Sequence, residues 1–261
     1  MIKLVAIDLD GTLFDSSSNI SSRNRNSILK CLKKGIRVII TTAKTPFWVK
    51  KLIKSLNLKD PQIASAGAAI IDCSLNAIYV RKIPVMHYKK MVKLARQFKV
   101  GFCASCLDGF VYFEDDNPAL KFVWETGEQP KQVISLLAEN IARQVLLVTA
   151  TVDEDHVFNS VLKNSFGSKL KIRRGGPNFL AAYNKKAGKT AALKRILKIL
   201  KVLPGDILAI GDSQSDLGMI KLAGKGIAMG NAPEAVKSAA DYIASDNDSD
   251  GVAVAIEKFV L

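Results

Sequence analysis

Two acidic segments of this chain stand where carboxylates can do chemistry on an anion. Asp8-Leu9-Asp10-Gly11-Thr12-Leu13 follows directly on the apolar run Ile2–Ile7, and Gly211-Asp212-Ser213-Gln214-Ser215-Asp216 follows on Ile207–Ile210. In extended chain, carboxylates one residue apart project to the same side. Of Asp8 and Asp10, one can therefore attack phosphorus while the other handles protons. Gly11 lets the backbone turn closely around an anion, and N–H groups there can hold phosphoryl oxygens. The second acidic segment can converge with the first on a cation, and magnesium prefers such hard oxygen ligands. Thr41-Thr42-Ala43-Lys44-Thr45 ends another apolar run with hydroxyls and a cation, and Gly188-Lys189 opens a helical stretch. A lysine there stands against the helix dipole, although residue type alone does not separate Lys185, Lys186 and Lys189. The plainer readings are turn clusters, helix caps through Ser213 or Ser215, and solvated lysines. An apolar strand running straight into two carboxylates favours chemistry over all of these.

The elements that must position these residues can be read from periodicity. Ile2–Ile7 and Arg37–Thr41 are short, β-branched-rich runs of the kind found in buried parallel strands. Arg23–Lys34 has apolar residues at helical spacing and stops at Gly35, and Pro46 opens a second helix through Leu56. Strand, helix, strand, helix with short connections predicts a parallel sheet covered by helices. That rhythm breaks after Ile63, where Ala69–Ile71 and Ile78–Val80 predict a hairpin leading out of the sheet. From 83 to 180 the pattern mixes helices (Lys89–Phe98, Lys131–Arg143, Glu154–Asn164) with strands (Gly101–Cys106, Phe110–Phe113, Gln144–Thr149, Lys169–Arg173). From Gly188 the first rhythm returns: a helix to Lys201, strand Ile207–Ile210, helix Asp216–Leu222, strand Gly226–Met229 and helix Pro233–Ala240. The expected fold is α/β: a Rossmann-like parallel-sheet core, residues 1–82 and 181–261, interrupted by an inserted α/β cap, residues 83–180.

At 261 residues the chain is long enough to bury two cores without staples. Its apolar runs fall short of the roughly 20 residues that span a bilayer, and its start lacks a signal peptide's pattern. The expectation is a cytoplasmic protein with no membrane partner. Cys103-Ala104-Ser105-Cys106 is a lone CxxC, read as two small apolar residues rather than half of a zinc site or a redox pair. The formal net charge of +14 raises the question of a nucleic-acid partner. Residues 83–180 hold 13 Lys and Arg against 10 Asp and Glu, so most of the excess lies elsewhere, on amphipathic helical segments such as 23–34 and 50–59. Such residues are more often a solvated helix face than a nucleic-acid groove, and the basic runs lack interleaved aromatics. A basic surface also favours encounter with an anionic small molecule.

The order of these motifs resembles the haloacid dehalogenase superfamily, and within it the Cof-type phosphatases with a large α/β cap. The similarity spans almost the whole chain. It implies a Mg²⁺-dependent hydrolase of a small phosphorylated metabolite, with Asp8 the nucleophile and Asp10 the acid and base. It implies phosphate binding by Leu9, Thr42, Ala43, Lys189 and Ser215, metal binding by Asp8, Asp10 and Asp212, and support from Asp216, Asn231 and Lys44. Gly230-Asn231-Ala232 and Ser249-Asp250-Gly251-Val252 are similar to the same branch. Four positions depart from the usual pattern: Ala43 stands for Gly, Lys44 for Arg, Ala66 for Asn and Ser215 for Asn. The near-balanced charge of 83–180, with acids such as Asp115, Asp116 and Asp155 beside Arg173 and Arg174, suits a sugar phosphate as substrate. The Thr-Ala-Lys-Thr stretch also resembles the mannosyl-3-phosphoglycerate phosphatases of the same fold. The reading from a different class is a basic nucleic-acid-binding protein on an inactive scaffold.

Overall fold

The computed structural model describes residues 1–114, 127–176 and 178–261. Its main sheet has eight strands in the order β14-β13-β12-β1-β2-β3-β4-β5. The central β1 (Leu4–Asp8) is entirely buried and pairs in parallel with β2 (Arg37–Thr41) and β12 (Ile207–Gly211). Parallel neighbours outward are β3 (Gln62–Ala64), β13 (Lys225–Ala228) and β14 (Tyr242–Ile243). A strand buried on both faces must be apolar throughout, which is why β1 and β12 read as unbroken apolar runs.

Helices cover both faces. Val5, Ile7, Val38 and Ile40 pack under α1 (Ser22–Lys33), α2 (Pro46–Leu56) and α9 (Gly251–Phe259). Leu4, Ala6, Ile39 and Ala209 pack under α6 (Lys189–Leu200) and α7 (Leu217–Ile220). The short α8 (Glu234–Lys237) follows β13. This is the expected three-layer α/β core.

A second sheet of six strands runs β10-β11-β9-β6-β7-β8. It comprises β6 (Gly101–Cys106), β7 (Phe110–Phe113), β8 (Gln129–Gln132), β9 (Val145–Thr151), β10 (Leu170–Gly176) and β11 (Phe179–Asn184). Phe102, Ala104, Val148, Ala150 and Ala182 pack against α3 (Val85–Gln97), α4 (Glu139–Ala142) and α5 (Val157–Phe166). The alternate residues Leu147, Ala181 and Tyr183 join the core of the main sheet instead. One face of this sheet therefore looks inward, and the other onto the main domain. The chain enters and leaves side by side, with Asn184 Nδ2 donating to the Lys82 carbonyl at 2.8 Å.

The structure corrects several readings. The hairpin β4 (Ala69–Ile71) and β5 (Ala77–Val80) does not lead out of the sheet; β4 pairs with β3 and both strands complete the sheet's edge. Lys131–Arg143 is not one helix. Its start lies in β8, parallel to β7, and only Glu139–Ala142 is α-helical. The apolar residues Val133, Ile134, Leu136 and Leu137 imitate a helical stripe, but the Leu136 N–H donates to the Glu114 carboxylate, far away in sequence, rather than to a helix carbonyl. The two C-terminal helical stretches are also shorter than their periodicity suggested. Asp115 and Asp116 lie outside the described residues. Among those residues, no helix is long and apolar enough to cross a membrane.

Candidate active site

The carboxyl ends of β1, β2 and β12 lie side by side because the three strands are parallel, so whatever follows them shares one edge of the sheet. Asp8 is the last residue of β1 and pairs with Thr41, while Asp212 follows Gly211 at the end of β12. After Asp8 the chain makes a tight turn over Leu9–Leu13 in which Gly11 has φ +75°. A Cβ on Gly11 would lie 2.6 Å from an Asp212 carboxylate oxygen, so only glycine lets the first acidic loop close against the second.

Lys189 joins the two. Its Nζ donates to Asp8 Oδ1 at 2.6 Å and to Asp216 Oδ1 at 2.7 Å, with all three side chains buried. Burial works against the ammonium charge, but Asp216 and Asp8 outweigh it and raise the lysine pKa. Burial likewise opposes ionisation of Asp216. Lys189 and Ser213 win there, and its pKa is lowered; Ser213 gives both its N–H (3.0 Å) and its hydroxyl (2.6 Å) to Asp216 Oδ2. Asp8 goes the other way: burial and the Asp216 charge push its pKa well up against the pull of Lys189. Asp212 is raised by burial and by Asp216, and its Oδ1 accepts the Thr12 hydroxyl at 3.0 Å. Three carboxylates facing one ammonium leave negative charge over, which is the setting that welcomes a cation.

Asp8, Asp212 and Asp216 each offer an oxygen within 4.8 Å of the others. Both oxygens of Asp216 are already taken by Lys189 and Ser213, so it serves as the lysine's counter-charge. Asp8 and Asp212 are the carboxylates turned toward a shared point, and an all-oxygen donor set of this kind fits Mg²⁺.

The remaining expected residues fall around this centre. Thr42 is fully buried; its Oγ1 accepts from the Lys44 N–H at 3.0 Å and its carbonyl from Ala66 at 2.9 Å. Ala43 is exposed beside it, and Leu9 is buried in the core, so each could serve a phosphate only through its backbone. Lys44 is buried, pairs with Asp10 Oδ1 at 3.3 Å and sits over the Trp48 ring at 5.1 Å. Asp10 itself is half exposed. Asn231 Nδ2 donates to the Gly11 carbonyl at 2.9 Å, bracing the turn. Ser215 is exposed and shares a 2.9 Å hydrogen bond with Ser213.

Lys185 and Lys186 point elsewhere: Lys185 donates to the Ser168 carbonyl, and both are exposed. Thr12 and Ser213 were not singled out for the roles they hold, although both lie inside the motifs. Glu128 carried no local signal at all; it reaches Thr45 from a distant part of the chain. Cys103 and Cys106, three residues apart on β6, point to opposite faces of the sheet and cannot grip one ion. All four cysteines are free, and burial pushes the Cys103 thiol up to about 12.

The haloacid dehalogenase-like hydrolase profile matches residues 5–256. A 5-amino-6-(5-phospho-D-ribitylamino)uracil phosphatase of Bacillus subtilis is 33% identical, over all of this chain and 96% of that protein. A second phosphatase of the same name and organism is 28% identical over 99% of this chain and 98% of its own length. Among solved structures, a haloacid dehalogenase-like hydrolase from Bacteroides thetaiotaomicron superposes with a TM-score of 0.91 at 30% identity, covering 99% of each chain. With a profile match over nearly its full length and acidic strand ends arranged around a buried lysine, the chain belongs to the haloacid dehalogenase-like hydrolases and is a phosphatase of the Cof type.

Proposed function

We propose that the protein is a Mg²⁺-dependent phosphomonoesterase that works through an aspartyl-phosphate on Asp8. The observation that carries this reading is Asp8 held at 2.6 Å by Lys189, at the sheet edge it shares with Asp212. A carboxylate so oriented is placed for in-line attack on phosphorus. Asp10, beyond it on the same loop, gives its proton to the departing alkoxide and later takes one from the water that cleaves the acyl phosphate. Thr42, Lys189, Ser215 and the backbone at Leu9 and Ala43 bind the phosphoryl oxygens. Asp8, Asp212 and the Asp10 carbonyl would hold Mg²⁺, which when bound offsets the repulsion between nucleophile and phosphate.

In this reading residues 1–82 and 181–261 form the catalytic core and 83–180 the cap, with β11 straddling the second boundary. The cap supplies contacts to the leaving group. The substrate is a monophosphate of a sugar or polyol. The ribitylaminouracil phosphate named for the two Bacillus subtilis relatives is the first compound to test. A cytoplasmic setting suits the four unpaired thiols.

The test is a panel of sugar, polyol and nucleoside monophosphates and phosphorylated acids, assayed with Mg²⁺ and after chelation, for the wild type and Asp8→Asn. The expected result is turnover that EDTA removes and Mg²⁺ restores, and that falls by several powers of ten in a folded Asp8→Asn protein. Turnover retained by that variant would sink the mechanism. Preference for a phosphorylated acid bearing a sugar would move the assignment to the mannosyl-3-phosphoglycerate branch.

A further inference from the structure

Besides the face where Leu147, Ala181 and Tyr183 join the main core, the inserted segment touches the main domain at the first turn of α2. Glu128, just before β8, accepts from the Thr45 N–H at 3.1 Å and from the Thr45 hydroxyl at 2.5 Å. Gly127, with φ +71°, passes so close to Trp48 that a Cβ would lie 2.9 Å from the indole. Gly109, with φ +98°, does the same to Phe47, where a Cβ would lie 3.1 Å from the side chain and 3.2 Å from the backbone nitrogen. Two glycines with positive φ thus approach the same helix end as one half-buried carboxylate.

That helix end needs a partner. Thr45 is the N-cap of α2, yet its side chain makes no capping bond within the helix. The first turn of a helix carries unpaired N–H groups and partial positive charge, so a carboxylate arriving from outside is stabilising there. Thr45 also continues directly from the phosphate-side loop. Lys44 bonds Thr42 through its N–H, pairs with Asp10 through its Nζ and lies over the ring of Trp48, the residue that Gly127 presses.

We propose that Glu128 is a positioning residue for the phosphatase reaction: docked on Thr45, it fixes the 42–45 loop and so sets Thr42 and Lys44 against Asp10. Seating of the cap on α2 and ordering of the phosphate-side loop are then a single event. The inference rests on the roles given above to Thr42 and Asp10.

The test compares wild type with Glu128→Ala, Glu128→Gln, Thr45→Val and the Glu128→Ala/Thr45→Val double variant. Two readouts are used: kcat and KM on two esters of different leaving group, one of them p-nitrophenyl phosphate, and backbone amide exchange over residues 45–49. Loss of a charge-assisted hydrogen bond predicts that Glu128→Ala lowers kcat/KM roughly tenfold or more. The loss should be similar for both esters, fall mainly on kcat and come with faster exchange over 45–49. Glu128→Gln, which keeps an acceptor, should recover most of both. In the Thr45→Val background the further effect of Glu128→Ala should shrink, because the two residues act through one contact.

A loss that depends on the leaving group, or effects that simply multiply, would mean that Glu128 touches substrate and would overturn the proposal. Unchanged exchange in Glu128→Ala would overturn it as well. If Glu128→Ala does not fold, Glu128→Gln and Thr45→Val carry the same comparison. Absence of turnover in the wild type would count against the phosphatase mechanism, while exchange would still decide the link between Glu128 and Thr45.

Discussion

Lys189 sits between two carboxylates, and the hydrogen bonds on their far sides decide which of them it serves. Ser213 holds Asp216 from behind, so that of the two carboxylates on Lys189 Asp8 is the one the proposed mechanism turns toward phosphorus. Thr12 does for Asp212 what Ser213 does for Asp216, donating to Oδ1 at 3.0 Å. Groups that orient a metal's ligands typically matter about 10- to 100-fold in affinity. Thr12→Val should therefore raise the Mg²⁺ concentration for half-maximal activity by about that factor, with turnover at saturating Mg²⁺ largely retained. A titration of activity against Mg²⁺ checks this, and an unchanged midpoint would show that Asp212 needs no orienting partner. The acids were legible in the sequence because each segment follows directly on an apolar strand, whereas Lys189 was set apart from Lys185 and Lys186 only by the resemblance of the motifs. Thr12 and Ser213 were less so, since a hydroxyl inside a motif serves a turn, a cap or a ligand equally well.

The elements carry their own constraints. The turn Ser65–Gly67, where Ser65 and Ala66 have positive φ, packs on the start of α6. A Cβ on Gly67 would fall 2.3 Å from the backbone of Gly188 and 2.8 Å from the Lys189 nitrogen. Gly67→Ala must therefore push α6 away from the sheet edge. Strain at φ +85° and a backbone clash together predict a loss of about 2 kcal/mol or more in denaturant unfolding. Activity should fall further than stability, because Lys189 moves with the helix. In the second sheet, Glu114 accepts from Arg96 Nε at 3.0 Å and from the Leu136 N–H. Burial opposes its charge, but these partners prevail and its pKa lies below the ordinary 4.5. The folded state thus binds this proton less readily than the unfolded chain, so the contribution is complete above pH 4.5 and is lost as pH falls through the lowered value. Glu114→Gln should destabilise at pH 7, with the gap to wild type closing on acidification; a constant gap would mean that the carboxylate's charge is irrelevant. The centre of the main sheet was readable because β1, β2 and β12 are buried on both faces and therefore mostly apolar. β8 was not: Gln-Pro-Lys-Gln on an exposed edge has no apolar signature, and the residues after it imitate a helix.

At the scale of the whole molecule, the proposed mechanism draws phosphate handling and leaving-group contact from separate sheets. The motif residues Asp8, Thr42, Lys189, Asp212 and Asp216 all stand on the eight-stranded sheet or beside it, and in the proposed mechanism they meet only the phosphate and its cation. Substrate choice should then travel with the insertion. Exchanging 83–184 for the matching segment of a related phosphatase should carry the donor's order of kcat/KM across a substrate panel. Retention of the original order would place the selectivity in the core. Such an exchange is geometrically simple, because the Asn184 amide touches the Lys82 carbonyl and the insertion goes out and comes back through one doorway. A linker of about two residues, at some 3.5 Å each, would seal that doorway and leave the eight strands uninterrupted. The insertion is thus a graft whose chain crosses at a single seam: whole extra domains can be added, lost or traded there while the order of the eight strands is unchanged.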